Sequence, residues 1–213
     1  QMLTARKVGG VTVAGSRAFV GDMTDLAGEW VPFGLLDQLF AVFLLRQDVT
    51  FQVLTKRAAR LREYFQRTVE VEGGTLTTTQ IIILQAVRMC NDWLGRGFAD
   101  LEHAYEEDIG WPLPNVHLGV SVESNDYRHR IEGLLATPAA VRFVSYEPAL
   151  GPLELVQTFE DGATRNYLDG QFRGLKFKGV NGNPDFTVET TEPALPRVHW
   201  VICGGESGPH HRP

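Results

Sequence analysis

The sequence predicts an α/β protein built on a parallel sheet, and three observations predict it. Five short apolar runs rich in β-formers each end abruptly in small or charged residues. Helical patterns lie between them. In the two closest pairs the runs begin roughly 24 to 34 residues apart, which leaves room for the helix of a right-handed βαβ crossover.

Taken in order, the strands fall in Arg17–Asp25, Thr50–Arg57, Val116–Glu123, Val141–Pro148 and Val198–Glu206. After Pro32, a residue tolerated where a helix starts, Leu36, Leu39, Phe40 and Phe43 recur at helical spacing. Leu61, Tyr64 and Phe65 repeat that spacing, as do Tyr127, Ile131, Leu134 and Leu135. Two intervals carry extra material, about 68–111 and 155–197. The first predicts a helix with Ile83, Ala86, Val87, Cys90 and Leu94 on one face, followed by the acidic stretch Asp100–Asp108. The second reads as a surface insertion rich in Gly, Asn, Asp, Thr and Pro, with a hairpin turn at Asn181–Pro184. The whole chain, 1–213, is expected to form a single domain.

Composition narrows the function. With 43% hydrophobic and 22% charged residues among 213, the chain lies in the globular range. A formal charge of −6 gives no global positive field for nucleic acid or anionic lipid. The 2 cysteines, Cys90 and Cys203, lie far apart, which excludes a multi-disulfide scaffold and is too few for a zinc ribbon. The apolar run Leu39–Leu45 is far short of the roughly 20 residues of a spanning helix. No basic-then-apolar secretory pattern opens the sequence, so a reducing cytoplasm is expected. Gln1 in place of Met and the stop at Pro213, directly after a glycine-rich loop, suggest a fragment of a longer reading frame.

Charge placement points to the site. Asp22 and Asp25, Lys56 and Arg57, Glu123, Glu147 and Glu206 stand at the C-terminal ends of the five strands, and a parallel sheet gathers those ends on one face. Lys56 closes an apolar strand, where its ammonium either binds a carboxylate or phosphate, carries a proton, or is simply solvated. Glu147 precedes Pro148, which keeps its backbone extended and aims the carboxylate. Glu123 and Glu206 either accept hydrogen bonds from a ligand or cap the following helices. Gly204 and Gly205 either let backbone N–H groups approach a ligand or form a tight turn. Glycine would be needed at 209 for a nucleophile elbow, and Pro209 stands there. Neither a phosphate-binding P-loop nor a dinucleotide fingerprint is present. Cys203, Glu206, His210 and His211 match no metal-ligand spacing, and no metal ligands are assigned. His117 and His199 read as strand-packing residues.

Taken together, Phe51–Arg57, Trp111–Glu123, Val141–Pro152 and Trp200–Pro209 resemble the phage-associated, radical SAM-like family of unknown function known for a three-cysteine motif. Phe19–Leu26 resembles that family's Phe-Val-x-Ser-Met-Gly-Asp-Leu segment, with Asp22 and Thr24 replacing small residues. The resemblance implies a partial (βα) barrel of the radical SAM type, truncated at both ends and carrying the two insertions. It further implies a [4Fe–4S] cluster held by three cysteines, which binds and reductively cleaves S-adenosylmethionine. Gly21, Asp22 and Met23 match the segment that contacts the methionine amino group, and Asp25 closes it. Ser121 and Glu123 match the ribose-contacting region, and Val201–Gly205, with Glu206 beside them, the strand end that contacts adenine. Lys56 and Glu147 are the candidates for substrate contact or proton handling. The cysteine motif itself is absent, and in relatives it lies upstream of the position of Gln1, so this chain alone is expected to be inactive. The alternative is a non-catalytic phage or defence-associated barrel whose pocket takes a nucleotide-like ligand, nucleic acid or a protein partner.

Overall fold

The structure, a computed structural model, describes residues 7–8, 11–21, 24–94, 110–177, 186–188 and 196–205. Its elements run β1 (Lys7–Val8), β2 (Val11–Thr12), β3 (Arg17–Val20), α1 (Phe33–Leu45), β4 (Thr50–Thr55), α2 (Ala58–Gln66), β5 (Thr68–Val71), β6 (Gly74–Thr77) and α3 (Thr78–Met89). A π-turn at Cys90–Leu94 follows, then β7 (Val116–Ser121), a 3-10 turn at Asn125–Tyr127, α4 (His129–Leu135) and β8 (Val141–Tyr146). The last part holds β9 (Val156–Thr158), β10 (Thr164–Asn166), β11 (Phe172–Arg173), β12 (Leu175–Phe177), β13 (Phe186–Val188) and β14 (Trp200–Cys203).

All five predicted strands meet in one sheet of order β3-β4-β7-β8-β14, and every pairing is parallel. Each strand therefore lies beside its predecessor in chain order, as in a singly wound (βα) barrel; a doubly wound sheet reverses direction at a switch point. Side chains alternate between the two faces. Phe51 and Val53 of β4, Val116, Leu118 and Val120 of β7, and Val144 of β8 join Leu36, Phe40 and Leu44 of α1, Leu61 of α2, Ile82 of α3 and Ile131 and Leu134 of α4 in the core. Phe43 stacks on Phe51 with ring centres 4.3 Å apart. α1 packs on α3, and α2 on α4, over this convex face.

The other face of the sheet, turned away from α1–α4, corresponds to the concave side of a partial barrel and is built in layers. Gln52 pairs with Phe19 and His117, and Gly119 with Leu54 and Phe143, whose ring stacks on Trp200 at 4.3 Å. A Cβ on Gly119 would lie 2.3 Å from the Phe143 ring, so glycine is what admits that ring into its layer. Ser121 lies opposite Ser145, which pairs with Ile202.

Two polar side chains fasten the loops at the N-terminal ends of the strands. The Asn115 amide donates to the carbonyls of Phe43, Arg46 and Val49, so one residue before β7 closes the end of α1 and the turn into β4. Arg142 donates to the carbonyls of Leu134 and Thr137 at the end of α4.

Both insertions contain more order than the sequence predicts. The helix expected in the first begins earlier, at Thr78, where Thr77 and Gln80 form a capping box, and its end widens into the π-turn. Ahead of it lies an exposed antiparallel hairpin, β5–β6, that the sequence pattern does not predict. In the second, β9, β10 and β11 form an antiparallel sheet that was not expected. It docks through Tyr167, which is fully buried, with its hydroxyl donating to the Glu132 carboxylate of α4 at 3.0 Å. Burial, then the neighbouring Glu132, pushes the Tyr167 hydroxyl up to about 12. β12 and β13 pair antiparallel across the segment expected to hairpin, although the Asn181–Pro184 turn lies outside the described residues.

Candidate functional site

The C-terminal ends of the five strands form the mouth. Continuing the alternation along each strand puts Lys56, Ser121, Glu123, Glu147 and Gly204 on the concave side of this rim, so these candidates share one face. Asp22, Met23 and Glu206 lie outside the described residues.

Asp25 organises the loop after β3. One carboxylate oxygen accepts from the Ala27 amide (2.9 Å) and the Thr55 hydroxyl (2.6 Å), the other from the Lys56 amide (3.0 Å) and the Arg57 guanidinium (3.0 Å). Four donors occupy it, so its chemistry here is to hold the start of α2 against the rim. Arg57 also lies over the Trp30 ring, 4.9 Å from its centre.

Among the described acids of the rim Glu123 is the most enclosed, its side chain 8% exposed. Lys56 Nζ lies 2.6 Å from one of its oxygens and Arg130 2.9 Å from the other. Arg130 also donates to the Ser121 carbonyl and lies over the Tyr127 ring. Burial pushes the Glu123 carboxyl up, but the Lys56 hydrogen bond and the charges of Lys56 and Arg130 outweigh it and hold the group below its ordinary 4.5. Lys56 is thus committed to a carboxylate of its own chain, although its side chain stays 55% exposed.

Glu147 contrasts with this. It is exposed, and among the described residues no ion pair engages it. Its peptide bond to Pro148 is cis, and its carboxylate lies over Gly204, where a Cβ would come within 2.7 Å of Oε1. The Gly204 amide donates to Tyr146 and its carbonyl accepts from Ala149 at 2.9 Å, so Gly204 extends the sheet and its N–H is engaged. Gly205 beyond it is exposed.

Sequence reasoning missed Arg130. A signal was available: a cation in the first turn of a helix opposes the helix dipole, so an arginine there calls for a nearby carboxylate, and Glu123 precedes it by seven residues. His117 and His199 also part ways. His117 lies in β7 with a buried Nδ1 that has no hydrogen-bond partner among the described residues. His199 precedes β14 and accepts from the Arg142 amide through Nδ1 at 3.0 Å.

Fold and rim together define a singly wound parallel α/β protein with a charged C-terminal mouth. The chain belongs to a family of unknown function: the family model described as "Protein of unknown function (DUF5131)" matches residues 9–213. No curated protein and no solved structure matches the chain. Among the described residues, no helix is long and apolar enough to cross a membrane.

Proposed function

We propose that the concave mouth binds S-adenosylmethionine, in keeping with the resemblance of its strand motifs to radical SAM-like proteins. The observation that supports this reading is the set of five parallel strands adjoining in chain order, with Lys56, Ser121, Glu123, Glu147 and Gly204 at their C-terminal ends. Glu147 is the exposed carboxylate suited to the ligand's cationic ammonium and sulfonium groups. Phe19, 47% exposed on the concave face, and the half-buried Trp200 offer aromatic surface to an adenine ring. The Lys56–Glu123–Arg130 array keeps the wall between β4 and β7 in place.

An iron–sulfur cluster supplies the electron that cleaves S-adenosylmethionine in radical chemistry, and it takes three clustered thiolates. The two cysteines of this chain do not fit it. Cys90 is buried at the end of α3 and Cys203 is exposed at the end of β14. Among the described residues no three His, Cys, Asp or Glu side chains group as metal ligands. No step is therefore derived through a cluster, and the reading for these 213 residues is cofactor binding.

Isothermal titration with S-adenosylmethionine tests it. Saturable binding that Glu147→Gln weakens about tenfold, the loss of one charge-assisted contact, is the expected result. Absence of heat with S-adenosylmethionine, but saturable binding of an uncharged nucleoside, would replace this reading with the non-catalytic nucleotide-type pocket.

A further inference from the structure

On the outer side of the rim, between the start of α2 and the start of α4, lies a cleft of about 270 Å³. Lys56, Arg57, Arg62, His129 and Arg130 line it, with Glu132 as its single acid. In a chain of net charge −6, this is a local inversion of sign.

The donors of these side chains are only partly used. Lys56 directs one of its N–H groups to Glu123, Arg57 one nitrogen to Asp25, and Arg130 one nitrogen to Glu123 and the Ser121 carbonyl. An ammonium has three donors and a guanidinium five, so each retains N–H groups for another acceptor. Arg62 is exposed and makes no hydrogen bond or ion pair with described residues. His129 donates through Nδ1 to the Asp126 carbonyl at 3.1 Å, which leaves Nε2 for another partner. One oxygen of Glu132 is taken by the Tyr167 hydroxyl. Around α2 the pattern is repeated: its first turn contains no acid, Arg57 gives it no side-chain cap, and Ala58 and Ala59 line the cleft. Glu123 and Asp25 balance part of the charge of Lys56, Arg130 and Arg57, and Arg62 is the guanidinium that no carboxylate of the described residues balances, beside the positive helix end.

We infer that this cleft is a binding site for a phosphate-bearing small molecule, with Arg62, Arg57 and Arg130 as its principal donors and Lys56 and His129 at its edge. The cavity and its side-chain cations carry the inference. It is distinguished from S-adenosylmethionine binding by the phosphate, which that ligand lacks, and by Arg62, which lines the cleft and not the concave rim, while Lys56 stands at the border of both. A phosphate is favoured over a carboxylate by the number of donors that converge, because its three or four oxygens accept several guanidinium N–H groups at once.

The test is 31P NMR of inorganic pyrophosphate titrated with the full chain in about 0.1 M salt, where distant charges are screened. Saturable broadening is expected, with Arg62→Gln weakening binding about tenfold and Arg88→Gln, a control on α3 outside the cleft, leaving it unchanged. Equal effects of the two substitutions would overturn the site in favour of diffuse charge. So would a silent pyrophosphate signal accompanied by binding of a short oligonucleotide, which would make the rim a polymer contact. Since Arg62 is exposed, both variants keep the fold, and thermal melting verifies that they do.

Discussion

On the helix-facing side of the sheet, Phe51, Val53, Leu118, Val120 and Val144 are almost wholly removed from water, whereas on the concave side Phe19, Gln52, Leu54, His117 and Trp200 remain partly open. Both sets come from the same strands and alternate residue by residue. The difference lies in what covers them: four helices on one side and, among the described residues, no helix packed on the other. Burial is therefore near complete in one set of alternate positions and uneven in the other, where Phe143, Gly119, Ser121 and Ser145 are buried while their neighbours stay partly open.

The sharpest contrast between the faces is expected from truncating one residue of each. Leu118→Ala should lower unfolding free energy by about 2 to 5 kcal/mol, as buried leucines do, whereas Phe19→Ser should stay within about 0.5 kcal/mol. Urea denaturation of both reads this directly, and equal losses would mean that the concave face is also a core.

Next in size is Gly119→Ala, which forces a methyl group into the Phe143 ring and should cost about 1 to 3 kcal/mol by overpacking. Combining it with Phe143→Leu should recover part of the loss. No recovery would place the strain in the backbone instead of the layer.

At the rim, Arg130→Gln should cost about 2 kcal/mol because its partner Glu123 is enclosed, and Lys56→Gln under about 1 kcal/mol because the lysine is largely solvated. A double-mutant cycle with Glu123→Gln separates the two couplings. A larger coupling for Lys56 would reverse this ranking.

The smallest effect is a pH dependence. Burial first, then the charges of Arg17 and His199, hold His117 below its ordinary 6.5. The folded state thus keeps the ring neutral where the unfolded chain takes up a proton, so stability is intact above pH 6.5 and declines as pH falls towards the folded value. His199 shifts in the same direction, chiefly by burial. Glu123, held below 4.5, contributes stability above that pH and loses it as pH drops further. His117→Leu should flatten part of the first decline, measured as urea midpoints between about pH 7 and pH 5. An unchanged slope would assign the decline to other groups.

The five strands and most helices were legible because apolar periodicity survives in each segment: Leu36, Phe40 and Phe43, or Ile131, Leu134 and Leu135, all face the core as spaced. Tyr127 did not follow its pattern, since a 3-10 turn breaks the helix before His129 and leaves that ring 40% exposed. The small sheets of the second insertion were hidden because strands of two or three residues are too short to display alternation. The rim candidates could be placed on one end of the sheet from sequence, but not paired. Whether Lys56 faces solvent or Glu123 depends on the register of β4 against β7, a relation between residues more than 60 apart.

The Asn115 amide has a consequence for the order of assembly. Its three acceptors lie 66 to 72 residues earlier in the chain, so none of its bonds can form by local closure. They become available only when β7 has found β4, and until then the Phe43 and Arg46 carbonyls have only the local Arg46 and Val49 amides as partners. The first insertion occupies that same span, so added length outside α3 acts on the rate at which the two halves of the sheet meet more than on the stability of the finished fold. The segments flanking α3 can vary in length at little equilibrium cost, whereas α3 itself, with Ile82 and Ala86 in the core, cannot be lost without cost.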